Sequence, residues 1–168
     1  MSEPQRSAPH DDVGQGPADR PTVFEACGGA PTMLALARAW HARCLADPEA
    51  AHPFTHRPIH PQHSERLAAY WGESLGGPPA YTSALGTEAD FVRTHSGNGP
   101  HDSLDAAAAA CFALALDDAD IPADPVLRDT LARWFVWSNH LVNHGWPTPA
   151  DVPDDLRLPR WDWEGPVS

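Results

Sequence analysis

The chain has 168 residues, enough for one domain with a buried core, and its 42% hydrophobic and 20% charged content is ordinary for a globular protein. Eleven basic residues, all Arg, against 23 acidic ones give a net charge of −12, which argues against nucleic acid and anionic membrane surfaces as partners. Cys27, Cys44 and Cys111 are odd in number and widely spaced, so no disulfide framework or thiolate metal site is expected and a reducing cytoplasm suits them.

Residues 1–21 are polar and aperiodic and read as a disordered arm with neither the apolar run of a signal peptide nor that of a membrane span. Thr22-Val23-Phe24-Glu25 then has the form of a capping box, and the short helix it opens stops at Gly28-Gly29. A stronger helix is expected from Pro31 to about Asp47. One apolar stripe holds Leu34, Ala37, His41 and Leu45, and a second holds Met33, Leu36, Trp40 and Cys44. Four prolines between Pro48 and Pro61 exclude a long helix there, leaving Phe54 as the one large aromatic side chain. Helix resumes near Gln62 with His63, Leu67, Tyr70 and Trp71 on one face and ends at Leu75-Gly76-Gly77-Pro78.

Thr87 is placed to cap a short helix reaching His95, which Ser96-Gly97-Asn98-Gly99-Pro100 must end. Leu104 to about Ala119 carries Leu104, Ala108, Cys111 and Ala115 in one stripe, with Phe112 and Leu116 beside it. Asp124-Pro125 opens a last helix presenting Leu127, Leu131, Trp134, Phe135, Ser138 and Leu141 before Gly145. The tail from 147 to 168, with Trp161 and Trp163, reads as irregular, and no segment alternates long enough to be a strand. The expected fold class is therefore all-α, with six helices.

Most chemical motifs fail on spacing. His52, His56, His60 and His63 suggest a small-metal site, but Pro53, Pro58 and Pro61 interrupt any shared helix face and no Cys or carboxylate completes a zinc set. His140 and His144 lack the Glu that a zinc hydrolase places directly after the first His, because Leu141 stands there. One arrangement is more promising. His41 and His63 point inward from two helices, His95 precedes the glycine break, and Phe54, Leu67, Tyr70, Trp71 and Phe112 supply an apolar slot suited to a flat cofactor such as haem. Arg66 and Arg93 could pair with its two carboxylates.

From Thr22 to Trp146 the chain resembles the truncated haemoglobins, most nearly their second group. The matching stretches are Thr22–Gly29 with its Gly-Gly turn, Trp40–Pro48, Phe54, Glu65-Arg66-Leu67 through Tyr70-Trp71 to Gly76-Gly77-Pro78 and Tyr81, and Val92-Arg93-Thr94-His95. The resemblance implies a two-over-two helical sandwich binding haem b. It makes His95 the proximal iron ligand and Phe54 the ring stacked on the porphyrin. His63 and Leu67 become distal, and Arg66, Tyr81 and Arg93 candidates for the propionates. Oxygen, nitric oxide or carbon monoxide would be the ligand, with oxygen transport, nitric oxide dioxygenation or peroxidase-type chemistry as uses, a reductase as a partner, and a monomer or homodimer as the form. Two positions depart from the pattern. His41 stands where the family usually has Tyr, and Ala108 where the second group usually has Trp thirteen residues past the proximal His. His63 or His41 could then serve as a sixth iron ligand. The competing expectation is a haem-free globin fold used as an interaction or sensing module.

Overall fold

The computed structural model describes residues 20–55, 58–99 and 101–167, so the first nineteen residues of the expected arm, and His56, lie outside it. Helix α1, Val23–Ala26, begins with the capping box: Glu25 N donates to Thr22 Oγ1 (3.2 Å) and Thr22 N to Glu25 Oε2 (2.8 Å). Helix α2, Gly29–Ala46, starts two residues earlier than the sequence suggests. Gly28 turns the chain into it at φ 106°, where an added Cβ would come within 2.5 Å of Thr32 Oγ1. The buried face of α2 is Met33, Leu36, Ala37 and Cys44, whereas Leu45 is 50% exposed. The stripe ending at Leu45 thus runs past the edge of the core, as a straight helix does where its neighbours stop.

The proline-rich connection contains one turn of helix, α3 (His52–Thr55), followed by α4 (His63–Ser74). Helix α5 (Glu88–His95) is capped by Thr87, whose hydroxyl accepts from Asp90 N (3.1 Å). Helix α6 (Asp102–Asp118) and helix α7 (Pro125–His144) complete the body, with Asp124 Oδ1 accepting from Val126 N (2.7 Å) and Leu127 N (3.1 Å). Helix α2 packs on both α4 and α6, and α6 on α7, giving the expected all-α two-over-two arrangement.

Between the layers lies an aromatic core. Trp71 meets Phe112 (5.6 Å), Trp134 (5.8 Å) and Phe135 (6.0 Å) edge-on, while Phe112 and Phe135 stack at 4.2 Å. The indole of Trp134 donates to Ser74 Oγ (3.0 Å), which donates in turn to the carbonyl of Pro159 (2.8 Å).

That last bond anchors the tail, which is irregular as expected apart from a 3-10 turn, Pro149–Asp151, and a short antiparallel pair, β1 (Arg160–Trp161) with β2 (Pro166–Val167). Trp161 is 6% exposed, tilted against Trp137 at 5.0 Å, and Trp163 Nε1 donates to Pro21 O (2.7 Å), tying the tail to the start of the described chain. Strands of two residues carry no alternation to read, which is why the sequence is silent about them.

Candidate functional site

Helices α2 and α4 cross so that His41 and His63 meet, with ring centroids 4.9 Å apart. Phe54 from α3 closes the cluster, 4.9 Å from His41 and 5.8 Å from His63. The Nε2 atoms of both histidines are buried and have no hydrogen-bond partner among the described residues. A buried ring nitrogen left unpaired costs about 1–3 kcal/mol, so two side by side are a feature that packing alone does not favour. Burial pushes His63 down to about 4, assisted by the nearby imidazoles of His41, His95 and His60, and burial lowers His41 as well. Both rings are therefore neutral at pH 7, the form that ligates metals.

His95 is the last residue of α5. Its Nδ1 lies 2.8 Å from the carbonyl oxygen of Phe91, one helical turn back. A carbonyl can only accept, so the proton sits on Nδ1 and the lone pair on Nε2. Metal-binding histidines are typically oriented by just such a bond. Phe91 lies against the His95 ring (4.6 Å) and stacks on Tyr70 at 3.9 Å, with Tyr81 edge-on to Tyr70 at 5.3 Å. Phe91 was not singled out by the sequence. Its signal, an aromatic residue four before a helix-terminal His, is weak until the register of α5 is known.

The remaining candidates fall into two groups. Leu67, Tyr70, Trp71, Phe112 and Ala108 are all buried. Trp71 and Phe112 belong to the aromatic core, and Ala108 offers its carbonyl to Trp40 Nε1 (3.1 Å), so the Trp40 indole from α2 lies against α6 at this small residue. Arg66 and Arg93 are half-buried. Arg66 donates to Leu85 O (2.8 Å) and lies 5.9 Å from the Tyr81 ring. Arg93 donates to Val152 O (3.0 Å) and pairs with Asp154 and Asp90. Of the crowded histidines, His60 Nδ1 accepts from Gln62 N (3.0 Å), and no three His, Cys, Asp or Glu side chains among the described residues converge as a metal site.

Glu88, also unmarked by the sequence, is 3% exposed in the first turn of α5. Tyr70 donates to its Oε1 (3.1 Å), Oε2 has no partner among the described residues, and burial pushes its pKa up to about 7. A raised carboxyl pKa gives stability that is complete below about 4.5 and lost as pH rises through about 7. His41 and His63, with lowered pKa values, act in the opposite sense, so the signature of Glu88 is a difference between proteins. Urea unfolding of wild type and Glu88→Gln at pH 5 and pH 8 should show the wild type losing roughly 2.5 kcal/mol relative to the variant, at about 1.4 kcal/mol per pKa unit. Parallel pH dependences would contradict this.

The sequence matches the bacterial-like globin family over residues 22–133. The chain belongs to that family. No curated protein sequence matches significantly. Solved structures do. The group II 2-on-2 haemoglobin from the plant pathogen Agrobacterium tumefaciens is similar at 27% identity and TM-score 0.58, covering 73% of this chain and 95% of that one. The haemoglobin from the thermophilic phototrophic bacterium Chloroflexus aurantiacus (25%, TM-score 0.58) covers 73% of this chain and 98% of its own. A thermostable haemoglobin from the actinobacterium Thermobifida fusca (25%, TM-score 0.59) covers 74% and 98%. The fold is thus that of the group II truncated haemoglobins, and membership implies a haem-binding globin.

Proposed function

We propose that this chain binds one haem b between His95 and the His41–His63 pair and there takes up a diatomic gas such as oxygen, nitric oxide or carbon monoxide. The observation that carries the reading is the pair of buried, unpartnered Nε2 atoms of His41 and His63, set among aromatic side chains. When bound, haem supplies an iron centre that accepts axial ligands and exchanges one electron.

The chain's own residues would act as follows. Phe91 O holds His95 Nδ1–H and so fixes Nε2 as the coordinating atom. His41 and His63, neutral at pH 7, supply either an N–H to a bound gas or a lone pair as a sixth ligand. Phe54 and Leu67 would keep water from the ligand side, and the buried Tyr70, Trp71 and Phe112 would supply apolar surroundings. Arg66, Tyr81 and Arg93 would be the candidates to pair with the two propionates. The neutral imidazoles of His41 and His63, each able to give or take a proton, would also suit nitric oxide dioxygenation or peroxide chemistry, with a reductase as electron donor.

Absorption spectra of the ferrous, haem-loaded protein test the distal assignment. Wild type should be low-spin and six-coordinate, and the double change His41→Leu, His63→Leu should convert it to a five-coordinate form that binds carbon monoxide faster. A wild-type spectrum that is already five-coordinate high-spin contradicts the sixth-ligand assignment.

A further inference from the structure

The proximal helix α5 has only eight residues, and its two sides are covered differently. One side meets the body through the Phe91–Tyr70 stack. The other presents Ala89 and Val92, which are buried not in the main core but in a separate cluster with Val152, flanked by Trp146 and Leu156. All three of those partners come from beyond residue 145. They lie outside the span 22–133 that matches the family, and the three related structures cover only 73–74% of this chain while being 95–98% covered themselves.

Further contacts hold the same segment against α5 and the turn that follows it. Arg93 reaches across to the carbonyl of Val152 (3.0 Å) and to the carboxylate of Asp154. The 3-10 turn that aims Val152 is itself fixed by a capping box, in which Thr148 N donates to Asp151 Oδ2 (3.1 Å). Gly97, two residues past His95, passes so close that a Cβ there would meet Pro149 Cδ at 3.2 Å. The turn packs directly against α5.

We propose that residues 146–156 are a strap that sets the position of α5, and that Arg93, Val152 and Asp154 are thereby positioning residues for His95. This rests on the reading of His95 as the haem ligand. Arg93 then serves the site chiefly through the strap, because its guanidinium is already engaged by Val152 and Asp154.

The test uses full-length Arg93→Ala, Val152→Ser and Asp154→Ala, with Trp161→Phe as a change at a tail residue off the strap. In haem-free protein, amide hydrogen exchange at Val92–Ser96 should rise at least about tenfold in the strap variants with α2, α4 and α6 unchanged, reporting a local opening. In haem-loaded protein, the rate of haem transfer to an excess of a scavenging apoglobin should rise by a similar factor, and the reduction potential should shift. Trp161→Phe should leave all three as in wild type. Exchange that rises uniformly through the chain, or haem loss and potential that stay at wild-type values, would overturn the strap as a positioning device. A wild type that takes up no haem would instead refute the preceding reading, and the inference would fall with it.

Discussion

Trp134→Ala is expected to lower the unfolding free energy by about 3–5 kcal/mol, the cost typical of deleting a fully buried Trp. Trp134 is 0% exposed and touches Trp71, Phe112 and Phe135. Its removal also takes away the indole N–H that donates to Ser74 Oγ, the link from α7 through α4 to the tail at Pro159. Trp134→Phe keeps a ring in the cavity and loses the hydrogen bond, so it should lie between wild type and alanine. Urea titration followed by far-ultraviolet circular dichroism measures both. A loss below about 1 kcal/mol for alanine, the scale of an ordinary surface change, would mean that the aromatic core is not what holds the layers together.

The second large effect is at His95. His95→Ala should weaken haem binding by more than about tenfold, since losing even a supporting partner of a metal ligand costs 10–100-fold. Circular dichroism of the haem-free variant should match wild type, because His95 ends α5 and its Nδ1 bonds one turn back, at Phe91. His140→Ala, at an exposed position on α7, is the matched control and should leave affinity unchanged. Equal loss in both variants would place the ligand elsewhere.

The elements that the sequence announces are those with local signals. Thr22-x-x-Glu25, Thr87 and Asp124-Pro125 each begin a helix where the residue type requires it. The Gly76-Gly77 and Gly97–Gly99 stretches end helices because Gly76, Gly97 and Gly99 adopt positive φ. His41, His63 and His95 were legible as inward-facing residues from periodicity and from the break after His95, and the family resemblance supplied their roles. What escaped the sequence depends on partners far along the chain. Asp154 is 61 residues from Arg93, and Trp163 is 142 from Pro21. Glu88 carries no signal in the sequence, and its burial shows only once Tyr70 of α4 is seen to donate to it. The same remoteness hides the packing of the tail: Pro159, Arg160 and Trp161 are held by Ser74, Gly77 and Trp137, none of which a reader of residues 147–168 can see.

The most direct measurement is a haemin titration of the purified wild-type chain followed by visible absorption. A Soret band that grows linearly and stops at one haem per chain, and that His95→Ala greatly weakens, is the predicted result. A protein that is fully folded by circular dichroism yet gives no saturable Soret band would contradict it and favour a globin fold working without haem.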